Sequence, residues 1–120
     1  AASDVYKRQV FANDETNKTL VFDEIDSGLS GKAANAVGNR LLDLSKTRQV
    51  ILISHLPQII AKADVHFKIQ KFDDIEETHT QVKELNRSER IEEIARLLSG
   101  DVISEATLRN AEELINEKRD

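Results

Sequence analysis

The chain has 120 residues, of which 39% are apolar, and this length allows one small domain or a piece of a larger one. It contains no cysteine, which excludes disulfide bonds and cysteine-ligated metal sites, and no apolar stretch approaches the roughly 20 residues of a membrane span. The formal net charge of −5 gives the chain as a whole no basic field to attract a nucleic-acid backbone.

The first nine residues read as an addition to the natural sequence. They spell A-A-S-D-V-Y-K-R-Q, which matches the in-frame translation of a transposase adapter used in sequencing libraries. We therefore predict that residues 1–9 are a non-native leader, and we exclude them from the fold. Residues 10–120 are predicted to be native, with the tail of a helix from Val10 and a polar loop over residues 13–18.

The stretch 18–32, K-T-L-V-F-D-E-I-D-S-G-L-S-G-K, carries most of the chemical information. Its apolar run, residues 20–22, ends abruptly in two carboxylates, Asp23 and Glu24. A short apolar run bounded by charge is typical of a buried strand in a parallel sheet. We therefore predict a strand here with both acids at its carboxyl end.

Two adjacent acids at a strand end suit a phosphoryl-transfer site. In an open α/β sheet the ligand lies beyond the carboxyl ends of the strands, where such acids can serve a metal ion and a water. We predict that Asp23 holds Mg²⁺ through water and that Glu24 orients or deprotonates the water that attacks the γ-phosphate of ATP. This is the Walker B pattern. Taken alone, the same residues also fit a strand that ends in a solvated acidic turn.

A helix is predicted after a tight glycine-containing connection. Ser30 is its predicted N-cap, and an apolar stripe that includes Ala33 and Leu41 would face the core. Gly38 inside this helix is costly by roughly 1 kcal/mol relative to alanine, which predicts close packing against the sheet.

The next strand is predicted over residues 49–54, Q-V-I-L-I-S, whose apolar composition suits coverage on both faces. It would complete a βαβ unit with the first strand. His55 follows directly, where a neutral imidazole could donate one hydrogen bond to the γ-phosphate. A lone histidine at a strand end is also often packed or solvated.

The remaining residues predict a short helix and an edge hairpin. Pro57 suits the first turn of a helix that ends at Asp64. Residues 65–71 alternate in polarity, which predicts a strand with a solvated polar face. Residues 80–85 would pair antiparallel with it at the edge of the sheet. His66 and His79 lie in these segments, show no metal-ligand spacing and are predicted to be solvated.

Two helices are predicted to complete the chain. The first covers residues 88–99, with Ser88 as its N-cap and Gly100 just past its end. The second covers residues 104–118.

Further motifs resemble those of a known family. Residues 26–31 lie where ATP-binding-cassette ATPases carry the D-loop, and His55 lies where they carry the switch histidine. D-E-I-D rather than D-E-P-T is typical of the SMC and Rad50-like branch. Within that branch, D-E-I-D-S-G-L-S-G followed by I-S-H-L-P-Q-I-I-A-K-A-D closely resembles the RecN family of bacterial DNA-repair proteins. The resemblance runs from about Val10 onward and concerns the last part of that family's chain.

This resemblance implies a fold and a function. The expected fold of residues 10–120 is α/β, part of a P-loop NTPase of the ABC-head type, with parallel strands, crossover helices and a C-terminal edge hairpin plus helices. The complete protein is expected to bind and hydrolyse ATP with Mg²⁺ in DNA double-strand-break repair and recombination. Its expected partners are a second ATPase head in a homodimer and DNA, the latter through regions absent from this chain. No membrane partner is implied, and the expected location is the bacterial cytoplasm, in association with the nucleoid.

In a dimer of such heads the D-loop would meet the partner across the nucleotide. The resemblance thus assigns nucleotide binding to Ser27, Gly28 and Ser30 as well as to Asp23. Many SMC-like heads have an aspartate at the position of Ser30, so this chain offers no carboxylate there.

The sequence also lacks parts that the chemistry requires. No G-x-x-x-x-G-K-[ST] motif is present to surround the β- and γ-phosphates. The L-L-S-G run at residues 97–100 would close a helix, whereas the L-S-G-G motif of cassette ATPases must open one. We therefore predict that the chain alone is inactive. Two alternatives stay open: the head of another SMC or Rad50-like chromosome-organising ATPase, and a non-catalytic α/β interaction module.

Overall fold

The computed structural model describes residues 18–25 and 28–117, which form an α/β arrangement of strands and helices. The predicted leader 1–9, the start of the native part and most of the loop before the first strand lie outside the described residues. Along the chain the elements are β1 (Leu20–Asp23), α1 (Gly31–Ser45), β2 (Val50–Ile53), α2 (Pro57–Ile60), β3 (Phe67–Asp73), β4 (Thr78–Glu84), α3 (Arg87–Ser99) and α4 (Glu105–Asn116).

Strands β1 and β2 pair in parallel, as the sequence predicts. Leu20 lies opposite Val50, and Asp23 lies opposite Ile53. Helix α1 connects the two strands, so the predicted strand, helix and strand are all present. The carboxyl ends of β1 and β2 therefore meet at one edge of this two-stranded sheet.

The core beneath this sheet is small and well packed. Phe22 of β1 is buried together with Ala34 and Leu41 of α1 and Ile59 of α2. The buried face of α1 is centred on Ala34 and Leu41, whereas Ala33 of the predicted stripe is exposed.

The opposite face of the β1–β2 pair is open within the described residues. Val21, Ile51 and Ile53 are among the exposed large apolar residues. The prediction that the second strand is covered on both faces is therefore wrong for this chain, because α1 packs on only one side of the sheet.

Gly38 allows a close approach by α2 and the residues that follow it, rather than by the sheet. A Cβ atom at this position would lie 2.7 Å from Cδ of Lys62 and 3.7 Å from Cγ1 of Ile59. Both residues belong to α2 or its immediate extension. The prediction of packing against the sheet is corrected, since Gly38 brings α1 close to α2.

Strands β3 and β4 form the predicted antiparallel hairpin with a shorter turn. Phe67 lies opposite Glu84, and Asp73 lies opposite Thr78. Among the described strands, β3 and β4 form a two-stranded sheet of their own and do not hydrogen-bond to β1 or β2. The prediction that the hairpin forms the edge of the parallel sheet is therefore wrong.

The two faces of the hairpin are the reverse of those predicted. Phe67, Ile69 and Val82 are more than half exposed, whereas Lys68 is partly buried. The reason is an ion pair: Nζ of Lys68 lies 2.8 Å from Oε2 of the buried Glu93 on α3. Helix α3 thus contacts the polar face of the hairpin at Lys68, whereas the apolar face is open and the residues of β4 are exposed on both faces.

His66 is also more enclosed than predicted. Burial lowers the pKa of its imidazole, and the charge of Arg90 lowers this pKa further. Its Nδ1 is buried and has no hydrogen-bond partner among the described residues. The prediction of a solvated side chain holds for His79, which is exposed in β4, and not for His66.

Helix α3 begins with a capping box, and its N-cap lies two residues before the predicted Ser88. Its N-cap is Asn86, whose side chain accepts a hydrogen bond from the backbone N–H of Glu89 at 2.9 Å. The Glu89 carboxylate in turn accepts from the backbone N–H of Asn86 at 3.0 Å. Ser88 lies inside the helix, so its prediction as N-cap is wrong, and Gly100 ends the helix as predicted.

Helix α4 follows its prediction closely. Ser104 is the N-cap and accepts a hydrogen bond from the backbone N–H of Thr107 at 3.1 Å. The apolar faces of α3 and α4 meet around Ile94, which is fully buried. No helix in the described part of the chain is long and apolar enough to cross a membrane. The second core consists of Ile60, Ala61, Ile94, Ala95, Ala111 and Ile115.

The open apolar faces predict self-association of the isolated chain. Ile69 and Val82 lie opposite each other on the hairpin and are 58% and 63% exposed. Such a face favours contact with another chain. We expect light scattering to detect oligomers, and we expect the double variant Ile69→Thr/Val82→Thr to reduce them while keeping β propensity.

Val102 provides the matched control for this prediction. It is 83% exposed, lies in the loop between α3 and α4 and belongs to neither sheet. Val102→Thr should leave association unchanged. A monodisperse monomer for the unmodified chain would contradict the prediction.

Candidate functional site

The two predicted acids lie at the carboxyl end of β1. Asp23 is the last residue of the strand and Glu24 follows it, and both are exposed. The backbone N–H of Glu24 donates to the carbonyl of Ile53 at 2.9 Å, which extends the pairing of the two strands by one residue. The position of Glu24 relative to β2 is therefore fixed by its backbone.

Glu24 has an unusual backbone conformation. Its φ angle is +52°, and among the described residues other than glycine it alone has a positive φ. A left-handed conformation costs a residue with a Cβ roughly 1–2 kcal/mol. Strain of this kind is concentrated at functional sites, because the surrounding structure must hold it.

The end of β2 supplies the histidine. His55 is exposed and lies between Ser54 and Leu56, directly before α2. The backbone N–H of Leu56 donates to Oγ of Ser54 at 3.1 Å, so the loop folds back on itself. The parallel register places this loop beside the Asp23–Glu24 end of β1. Three predicted site residues, Asp23, Glu24 and His55, thus lie at the same edge of the sheet.

The glycine-containing connection is described only in part. Gly28 and Gly31 have φ angles of +81° and +46°, and open space surrounds a Cβ built at either position. Glycine is therefore required here for backbone conformation rather than for space. Ser30 is exposed at the N-cap position of α1, as predicted, but its side chain makes no capping hydrogen bond. Ser27 lies outside the described residues.

The residues at this edge fit a water-mediated magnesium ion. Within residues 18–25 and 28–117, no group of three or more His, Asp or Glu side chains could enclose a metal. Mg²⁺ commonly keeps several waters and binds through one or two carboxylates together with substrate phosphates. Asp23 is the carboxylate that could hold such an ion, with Glu24 beside it.

Helix α3 carries a charged cluster that the sequence analysis missed. Burial alone would raise the pKa of Glu93, but hydrogen bonds from Arg96 and Lys68 outweigh that effect and lower it. Arg90, one turn earlier, donates from Nη2 to the carbonyl of Ala63 at 2.9 Å. The signal in the sequence was the presence of Arg90 and Glu93 beside the apolar stripe of this helix.

The run 97–100 closes α3, as predicted. Ser99 is the last helical residue, and Gly100 follows with a φ of +80°. A helix C-terminus presents carbonyl oxygens, which repel phosphate. This run therefore contributes nothing to an anion site.

Comparison with known proteins finds relatives named DNA repair protein RecN. The chain is 50% identical over 98 residues to the DNA repair protein RecN of Rickettsia conorii, which is 82% of this chain and 18% of that protein. It is 41% identical over 110 residues to RecN of Streptomyces coelicolor, covering 92% of this chain and 19% of the relative. It is 40% identical over 109 residues to RecN of Haemophilus influenzae, which covers 90% of this chain and 20% of that protein. No family model matches the chain.

The fold and site define an α/β protein with paired acids and a histidine at the carboxyl ends of two parallel strands. Over the stretch that it shares with these relatives, the chain is similar to RecN, which confirms the resemblance noted in the sequence. The chain spans about a fifth of the length of the relatives that it matches.

Proposed function

We propose that this chain supplies the acidic strand end and the phosphate-sensing histidine of an ATPase site in a larger RecN-like protein that acts in DNA double-strand-break repair and recombination. The observation that carries the proposal is the placement of Asp23, Glu24 and His55 at one edge of a parallel strand pair. The relatives are named DNA repair proteins, which supports the DNA-repair role. This name favours that role over chromosome organisation and over a non-catalytic interaction module.

Each residue has a separate chemical task in this proposal. Asp23 would hold Mg²⁺, which when bound would supply positive charge that neutralises the phosphates. Glu24 accepts a proton from the water that attacks the γ-phosphate, or orients that water. His55 donates one hydrogen bond to a γ-phosphate oxygen, so it makes ATP and ADP distinguishable.

The remaining parts of the site come from outside these residues. In the proposed P-loop NTPase fold of the ABC-head type, the loop that surrounds the phosphates belongs to the rest of the protein. Ser27, Gly28 and Ser30 would meet a second ATPase head across the nucleotide in a homodimer. DNA contact is assigned to regions other than this acidic chain, whose formal net charge is −5.

Because the site is divided in this way, the isolated chain and the complete protein should differ in their binding and hydrolysis of MgATP. Most phosphate contacts in such sites come from a glycine-rich loop that the chain does not contain. Calorimetry with MgATP should therefore detect no micromolar binding to residues 1–120 alone. The complete protein should bind MgATP and hydrolyse it. Micromolar binding by the isolated chain, or no hydrolysis by the complete protein, would contradict the proposal.

A further inference from the structure

Helix α2 joins the candidate site to the C-terminal helices. It begins at Pro57, two residues after His55. Ile59 belongs to the core beneath the parallel sheet, whereas Ile60 belongs to the core between α3 and α4. This single turn of helix therefore packs into both cores of the described structure.

Arg90 of α3 binds the C-cap residue of α2 and the turn that follows it. Its Nη2 donates to the carbonyl oxygen of Ala63 at 2.9 Å and lies 3.5 Å from that of Ala61. Ala61 is the C-cap of α2, and Ala63 lies two residues beyond it, so Arg90 restrains the chain where it leaves the helix. Burial lowers the pKa of Arg90 and the charge of Asp64 raises it, and the guanidinium remains charged throughout the physiological range.

The loop with His55 has little freedom independent of α2. The N-cap residue Leu56 donates from its backbone to Oγ of Ser54 at 3.1 Å. Its carbonyl accepts from the backbone N–H groups of Ile59 and Ile60 at 3.1 and 3.0 Å. A shift of α2 is therefore transmitted to His55 through these bonds.

The position of a one-turn helix depends on its contacts with neighbouring elements. Helix α2 has four residues, which is too short for appreciable intrinsic stability. On one side it contacts α1, where Gly38 admits the side chains of Lys62 and Ile59. On the other side the hydrogen bonds from Arg90 are its polar link to α3.

We propose that Arg90 is a positioning residue for His55. It acts by fixing the C-cap residue of α2 and the following turn, and thereby the helix and the loop that presents the histidine at the sheet edge. This inference rests on the proposed function, because it assumes that the position of His55 affects turnover. It assigns to the C-terminal helices a part in catalysis besides packing. Positioning errors of about 1 Å can lower rates by as much as 10²-fold.

The test is a double-mutant cycle in the complete protein. Arg90→Met keeps the aliphatic stem and removes the donors. We expect it to lower the turnover of ATP at saturation by about 10- to 100-fold and to narrow the preference for ATP over ADP. Combined with His55→Ala, it should add little further loss, because residues that act through one group are not additive.

Arg87 offers a matched control on the same helix. Its Nη2 donates to Oδ1 of Asn116 on α4 at 2.9 Å, so this hydrogen bond links α3 to α4. Arg87→Met should leave turnover and nucleotide preference close to those of the parent. Equal effects of the two arginine variants would overturn the inference.

The remaining outcomes are also decisive. If the losses from Arg90→Met and His55→Ala multiply fully, Arg90 acts independently of His55 and the inference is wrong. If Arg90→Met does not fold, the same cycle with Arg90→Lys, which keeps a cation and a donor at the end of a flexible stem, decides between coupling and independence. Parental turnover of His55→Ala alone would instead overturn the role of His55 in the proposed function.

Discussion

Glu24→Gln in the complete protein is expected to lower ATP turnover by a factor of about 10²–10⁴, the range for a positioned general base. Glutamine keeps the size and the hydrogen-bonding capacity of the side chain but cannot accept the proton. ATP should still bind and bring the two heads together, because neither step requires the base. The measurements are steady-state ATPase rates, ATP dissociation constants and ATP-dependent dimerisation.

Glu112 is a suitable control for this substitution. It is exposed on α4, far along the chain from the strand end, and the same change removes the same charge. Glu112→Gln should retain parental turnover. If Glu24→Gln hydrolysed ATP at the parental rate, Glu24 would not be the base.

His55→Ala should lower turnover by roughly 10²–10³, the loss observed when one donor to a developing charge is removed. The substitution removes a hydrogen bond that strengthens as charge develops on the γ-phosphate. Because ADP lacks that phosphate, the preference for ATP over ADP should also narrow. Rates and dissociation constants for both nucleotides measure these two effects.

His79 provides the comparison for the loss of an imidazole. It is exposed in β4, and its Nε2 lies 3.7 Å from Oε2 of Glu77 on the hairpin. His79→Ala should leave the turnover of ATP and the preference for ATP over ADP unchanged. A His55→Ala variant with an unchanged ATP preference would show that this histidine does not contact the γ-phosphate.

The elements around the site could be predicted because their signals are local. The apolar run that ends in Asp23 and Glu24 identifies β1, and the run that precedes His55 identifies β2. Parallel pairing follows because a helix connects the two strands. The parallel register then places the backbone positions of the three residues at the same end of the strand pair.

The faces of the hairpin could not be predicted in the same way. Alternation along residues 65–71 separates two faces but does not say which one a later helix covers. The ion pair of Lys68 with Glu93, from a helix that begins beyond β4, decided the outcome. The start of α3 was misplaced because Asn86 and Ser88 can both cap a helix, and only Asn86 has Glu89 three residues later.

Two features of the site arise from contacts that are distant in sequence. The positive φ of Glu24 accompanies a backbone hydrogen bond to Ile53 on the neighbouring strand. The hydrogen bonds from Arg90 reach the carbonyls of residues that precede it by 27 and 29 positions. Neither contact has a periodic pattern in the sequence, so neither could be predicted from it.

The Mg²⁺ dependence of ATP hydrolysis by the complete protein tests most directly whether the carboxyl end of β1 faces MgATP. Asp23→Ala should weaken that dependence, because the carboxylate that holds the ion through water is gone. Asp43→Ala, which removes an exposed carboxylate paired with Lys46 on α1, should leave it unchanged. A Mg²⁺ dependence of Asp23→Ala equal to those of the parent and of Asp43→Ala would contradict the claim.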